Sequence, residues 1–187
     1  MIQPNTSPVE LPILIADTNI FGNLLDQKTL NDTFQIISEL NKSYQLSISK
    51  ITLQEIVSKG TKDVAGILKG LQGFRRFEVD ESILLFAGLM ACVGIKGNFD
   101  SIIASTAFLN NAVILTANQK DFPEPCFTET KSWSISYKDN RNRTIHQMIH
   151  LLSTNVKETA EKINNIEYVQ EIMKNKPTVT TPPKPNK

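Results

Sequence analysis

The chain has 187 residues, of which 40% are apolar and 21% charged, so it reads as one soluble globular domain with an appendage. No run approaches the ~18 apolar residues of a membrane span, and Met1-Ile2-Gln3-Pro4-Asn5-Thr6-Ser7 has neither the basic nor the apolar stretch of a secretory signal. A membrane or secreted protein is therefore not expected, and the predicted location is the cytoplasm. The net charge of +1 argues against a generally basic nucleic-acid binder.

That net charge hides an asymmetry. Residues 1–137 hold 11 Lys+Arg and 14 Asp+Glu, a balance of −3. Residues 138–187 hold 9 Lys+Arg and 5 Asp+Glu, a balance of +4. The two cysteines, Cys92 and Cys126, form no disulfide framework or zinc knuckle and are expected as buried thiols.

In chain order, residues 1–10 form a polar, Pro-containing lead-in. Residues 11–16 are a short apolar run, the pattern of a buried parallel strand. Thr18 to Leu25 is predicted as a helix. From Thr29 to Leu40, apolar Leu30, Phe34, Ile37 and Leu40 recur at helical spacing. Tyr44 to Ser49 alternates as a strand does. Thr52-Leu53-Gln54-Glu55 has the form of a capping box with Thr52 as N-cap, and Gly60 is a natural stop. Thr61 to Gly73 is a helix weakened by Gly66 and Gly70. Arg76 to Val79 is a short strand. Asp80 caps an apolar helix that runs through Val93. The loop Gly94-Ile95-Lys96-Gly97-Asn98 leads to a helix from Asp100 to about Leu109. Ala112 to Thr116 and Ser132 to Ser136 complete the strands. This alternation predicts an α/β fold, a three-layer α/β/α sandwich around a parallel sheet with right-handed crossovers.

Beyond Asp139 to Arg143, a polar link, Ile145, Ile149, Leu152, Val156, Ile163, Ile166 and Met173 follow a heptad-like spacing. Residues 144–174 are accordingly expected as an amphipathic C-terminal helix, outside an α/β domain of residues 11–138. A second copy of the chain is the favoured partner for its stripe, and the body of its own domain or a separate protein the alternatives. Residues 175–187, with Pro177, Pro182, Pro183 and Pro185, are expected to be disordered.

Four acidic residues stand where strands end or helices begin: Asp17, Glu55, Asp100 and Asp121. In an open parallel sheet, ligands bind outside the carboxyl ends of the strands. Carboxylates gathered there repel one another unless a cation sits among them. Oxygen donors of this kind suit Mg²⁺ or Mn²⁺, which assist phosphodiester hydrolysis. No Walker loop, GxGxxG or serine-nucleophile motif is present. Asp17, Glu55 and Asp100 also have plainer roles, as a helix N-cap, a capping-box glutamate and a helix cap. His146 and His150, at i and i+4, form a candidate metal pair that lacks a third ligand nearby, so a surface or interface role is favoured.

The segments Ile15-Ala16-Asp17-Thr18-Asn19, Ser49 to Ile56, Asp100-Ser101-Ile102-Ile103-Ala104 and Leu115 to Phe122 occur in this order and spacing. Over residues 12–137 the sequence thereby resembles the PIN-domain family, VapC-type toxin ribonucleases in particular. The resemblance implies a Mg²⁺/Mn²⁺-dependent endoribonuclease with RNA as substrate and an antitoxin protein as partner. It places metal-binding catalytic carboxylates at Asp17, Glu55, Asp100 and Asp121, and supporting polar groups at Asn19, Thr116 and Asn118. Lys50, Lys59, Lys96 and Lys120 flank these motifs and are candidates for phosphate contact. Two departures weigh on the toxin assignment: the chain continues for ~50 residues past the last predicted strand, and its first 137 residues are acidic. The competing readings are a PIN-type RNA-processing nuclease without an antitoxin and a non-catalytic RNA- or protein-binding module.

Overall fold

A computed structural model describes residues 10–58 and 64–163 together with Glu167, Glu171 and Lys174, apart from the side chains of Val64, Ile67, Ala91 and Cys92. Four short strands are parallel: β1 (Ile13–Ala16), β2 (Gln45–Ser49), β3 (Arg75–Phe77) and β4 (Val113–Thr116). Two long strands, β5 (Phe127–Lys138) and β6 (Thr144–Thr154), join antiparallel, giving the order β3-β2-β1-β4-β6-β5. The central strands are apolar on both faces, as a covered parallel sheet requires. Along β1, Ile13 and Ile15 pack into one core cluster and Leu14 and Ala16 into the other. Strand alternation thus divides the interior into two layers.

Helices α1 (Thr18–Leu25), α2 (Leu30–Leu40) and α3 (Lys50–Ser58) contribute Ile20, Phe21, Ile36, Ile37, Leu40 and Ile56 to one layer. After α4 (Val64–Gly70), helices α5 (Glu81–Leu89) and α6 (Asn98–Leu109) build the other, where Phe86 and Phe108 stack at 4.6 Å. Asp80 caps α5 by accepting the Ile83 N–H at 2.9 Å, as its position predicts. The three-layer α/β/α architecture expected from the sequence is the one observed.

Several expectations need correction. Residues 144–154 are a strand, not the start of a long helix. The spacing i, i+4 is common to a helix face and to a strand face of period 2, so Ile145 and Ile149 read either way. The intervening Gln147 keeps the alternation Ile145-Gln147-Ile149-Leu151 along one side of β6. The helical part of the C-terminal region is α7 (Val156–Ile163). Its Thr159, Ala160 and Ile163 are buried against the α5–α6 layer of the same domain. The stripe invoked for a homodimer is therefore split between a strand and a docked helix, and its basis is removed. Ile166, Met173 and the 175–187 tail lie outside the described residues, as do the lead-in up to residue 9, Gly60 and the side chain of Cys92. Cys126 is fully buried, as expected.

Helix α3 begins at Lys50, so Thr52 lies within it and is not its N-cap. Its hydroxyl is buried without a hydrogen-bond partner among the described residues. In α2 the buried residues are Thr33, Ile36, Ile37 and Leu40, while Phe34 is 62% exposed. Leu30 and Phe34 belong to the correct helix but turn outward.

Candidate active site

The sheet topology determines what meets at the carboxyl ends of the parallel strands. β1 passes directly into α1, and Asp17 is the junction residue. Its own N–H donates to the Leu115 carbonyl at 2.9 Å, which extends the β1–β4 pairing by one step. Its side chain caps α1 by accepting the Thr18 N–H at 2.6 Å. The capping role and a ligand role are compatible, because the second carboxylate oxygen is held separately. That oxygen accepts from the Thr116 hydroxyl at 2.7 Å and from the Asn19 amide. Asn19 also donates to Thr116 Oγ1 at 3.1 Å and accepts the Ala117 N–H at 2.8 Å. The ends of β1 and β4 are thereby laced together around one carboxylate.

Asp17 is only 3% exposed. Burial pushes its carboxyl above the ordinary carboxylate range, and the nearby Glu55 charge adds to this. The hydrogen bonds from Thr116, the Thr18 N–H and Asn19 pull the other way. No basic side chain is among these influences. A buried carboxylate with a second carboxylate beside it and no cationic partner carries uncompensated charge whenever it is ionised.

Glu55 comes from α3, which starts immediately after β2 and so rises from the same sheet edge. The Thr18 hydroxyl donates to Glu55 Oε2 at 2.6 Å. Thr18 thus links the two acids: its amide holds one and its hydroxyl the other. Sequence reasoning had passed over Thr18 as a functional residue, although its place directly after Asp17 makes this the one side chain able to bridge in that way.

Asp100 lies in the first turn of α6, which packs against α3 and leads back into β4. A Cβ on Gly97 would stand 2.0 Å from Asp100 Oδ2. The Asp100 carboxylate therefore folds over Gly97, the residue that precedes the helix, and only a glycine leaves it that room. Gly97 is a second position that sequence reasoning missed as part of the site. The signal was the spacing Gly-x-x-Asp across a helix start.

Asp121 closes a short 3₁₀ turn after β4 and accepts a hydrogen bond from the Asn118 amide. The Asn118 N–H in turn donates to Thr116 Oγ1 at 3.0 Å. All three supporting polar positions, Asn19, Thr116 and Asn118, are hence engaged with Asp17, with Asp121 or with each other. Among the candidate lysines, Lys50 pairs with Glu78, Lys96 and Lys120 are exposed, and Lys59 lies outside the described residues.

The donor set of carboxylate, hydroxyl and amide oxygens is the hard kind that Mg²⁺ or Mn²⁺ takes. Its convergence is partial. Asp17 and Glu55 are neighbours, but among the described residues no three His, Cys, Asp or Glu side chains stand close enough together to hold an ion. His146 and His150 are excluded as a chelating pair. On a strand they are about 13 Å apart, and their partners are Ser136 and Glu129 respectively.

The fold has relatives among solved structures. A chain of the VapBC2 complex of Rickettsia felis, crystallised with a DNA fragment from its promoter, matches with a TM-score of 0.51 at 26% identity. The match covers 59% of this chain and 90% of that one. The fold is shared with a toxin–antitoxin protein. A toxin–antitoxin complex from Klebsiella pneumoniae matches similarly, with a TM-score of 0.52 at 23% identity over 60% of this chain and 92% of that one, a likeness of fold alone. No family model and no curated protein sequence matches. Both neighbours are covered almost end to end, so this chain has the frame they have plus a substantial remainder. Among the described residues, no helix is long and apolar enough to cross a membrane.

Proposed function

We propose that the chain is a Mg²⁺- or Mn²⁺-dependent endoribonuclease acting as the toxin of a toxin–antitoxin pair. The observation that carries this reading is the Asp17 environment: a buried carboxylate at the carboxyl end of the central strand, braced on both oxygens, with the Glu55 charge nearby and no basic side chain bound to Asp17 among the described residues. Structural proteins pair or neutralise such a charge, so one left without a counter-charge marks a site built for a cation. The solved neighbours support the toxin–antitoxin half of the proposal.

In this reading Asp17 and Glu55 would hold the ion, and Asp100 on α6 and Asp121 on the turn after β4 would be the further carboxylates at the same end of the sheet. The bound ion would activate a water and offset the charge that develops at phosphorus. The protein's own part is orientation. Thr116 and Asn19 keep one oxygen of Asp17 fixed, Thr18 keeps Glu55 fixed, and Asn118 aims Asp121. No side chain is placed as a nucleophile, so water attack predicts a 5′-phosphate and a 3′-hydroxyl on the products.

The test is expression of wild type beside Asp17→Asn in a bacterial host, scored by growth and by integrity of total RNA. Wild type should arrest growth and degrade RNA. Asp17→Asn should lose at least about a hundredfold in cleavage rate, as removal of several kcal/mol of charge stabilisation implies. With the purified protein, Mn²⁺ should raise the melting temperature of wild type and of Asp17→Asn unequally, with most of the rise lost in the variant. Cleavage that survives EDTA, or a 2′,3′-cyclic phosphate product, would overturn the mechanism.

A further inference from the structure

We propose that the β5–β6 ribbon is an RNA-holding arm that grips the substrate backbone beside the carboxylates; the proposal rests on the nuclease reading above. β6 pairs with β4 only from His150, opposite Thr116, to Leu152, opposite Ile114. The preceding stretch, Thr144–Ile149, pairs with β5 alone. Since β6 runs antiparallel to β4, this stretch continues past Thr116 on the side where Asp17 and Asp121 lie. At roughly 3.4 Å per residue it carries the ribbon about 20 Å beyond the ends of the parallel strands.

The two faces of the arm differ. One carries Trp133, Ile135 and Ile149, which join the α1–α2 core layer and seat the ribbon on the domain. The other carries exposed Ser134, Ser136, Thr144 and His146, a hydroxyl-rich surface. At the tip stand Lys138, Arg141 and Arg143, and Lys28 of the α1–α2 connection reaches Asn140 at 2.8 Å. The acids there are Asp26 and Asp139. Asp139 is bound by Arg143 and by the N–H groups of residues 141 and 143. Four basic against two acidic side chains leave a surplus of two positive charges. Lys138 meets only the neutral Thr144 hydroxyl, and the Arg141 side chain has no partner among the described residues.

The occupant follows from charge and position. The domain that holds the carboxylates is acidic, with a balance of −3 over residues 1–137. A polyanion brought to that site is repelled by it unless cations elsewhere hold the chain. Phosphate contacts come from Lys, Arg and hydroxyl side chains, which is the makeup of the arm's free face and tip. A protein partner would call for aromatic or aliphatic anchors, and that face exposes a single large apolar side chain, Met148.

The test compares the full chain with Lys138→Ala/Arg141→Ala and with Lys157→Ala, an exposed lysine on α7. Binding of a fluorescein-labelled single-stranded RNA is read by anisotropy in EDTA across a salt titration. The arm predicts roughly tenfold weaker binding for the double variant, and a salt dependence shallower by about 1.4 in log–log slope, the value for two lost phosphate contacts. Lys157→Ala should match wild type. With Mg²⁺ present, KM should rise and kcat stay near the wild-type value in the double variant. Equal affinity and slope in the two variants would overturn the proposal. So would wild-type protein that binds an acidic peptide but no RNA. Arm-dependent binding without cleavage by wild type would leave the arm standing and remove the nuclease reading.

Discussion

At the scale of single residues, the site depends on groups that position acids rather than on the acids alone. Thr18 and Thr116 each bind a carboxylate, and Gly97 makes room for one. Gly97→Ala is the sharpest probe of that dependence. Its backbone angle, φ −82°, suits any residue, so the substitution carries no backbone strain. The new methyl would instead collide with Asp100 Oδ2 and swing that carboxylate away. The expected outcome is a tenfold or greater fall in RNA cleavage, of the order seen when a group that orients a metal ligand is lost, with a melting temperature close to wild type. Unchanged cleavage would mean that Asp100 acts from another position or not at all. Of the site, the acids and their amide and hydroxyl neighbours were legible because they sit in short motifs at strand ends. Gly97 and Thr18 were passed over, because a glycine or threonine near an acid is common and its steric or bridging role appears only once Asp100 and Glu55 are placed in space.

At the scale of elements, the parallel strands and α1, α2, α5 and α6 were legible within a few residues, since each has one period and clear stops. The β5–β6 ribbon was not. Ile145 and Ile149 satisfy both a helix and a strand, and what decides between them is pairing with Tyr137 and Trp133, eight and sixteen residues earlier, which no local pattern reveals. The ribbon has its own polar contact, the hydrogen bond from His150 to Glu129, with Ser132 adding a second. These bonds hold the Glu129 carboxyl below its usual range, the His150 contact first. A carboxylate lowered on folding contributes stability that is complete above its unfolded pKa and is lost as pH falls through the folded value. Glu129→Gln should therefore cost more stability at about pH 7 than at about pH 3, which lies below the unfolded glutamate value where the contribution is already falling away. Urea midpoints at the two pH values check this. A difference between variant and wild type that does not change with pH would assign the bond no role in holding the ribbon.

At the scale of the whole molecule, the folding unit extends beyond the boundary near residue 138 expected from the sequence. β6 fills the place between β4 and β5, and α7 packs on the Met90–Val93 turn that follows α5 and adds Ala160 and Ile163 to the α5–α6 core layer. A chain ended after Lys138 loses both. It opens the β4 edge beside Thr116 and uncovers apolar surface, two features that promote association. Such a truncation should be insoluble or molten, with a lost near-ultraviolet circular dichroism signal, whereas a chain ended after Lys174 should fold. A truncated protein that unfolds cooperatively would show that residues 11–138 stand alone after all.

The strand order also sets a schedule for synthesis. A ribosome delivers β4 before β6, yet β6 is the strand that must lie against it. Between Thr116 and Thr154 the growing polypeptide presents an open, apolar strand edge with no partner yet made. At ordinary elongation rates of roughly 5–20 residues per second, this interval lasts about 2–8 s. Neighbouring nascent chains on one messenger carry the same open edge at the same moment. The speed of translation through residues 117–154 therefore bears directly on how much of the protein reaches its native state.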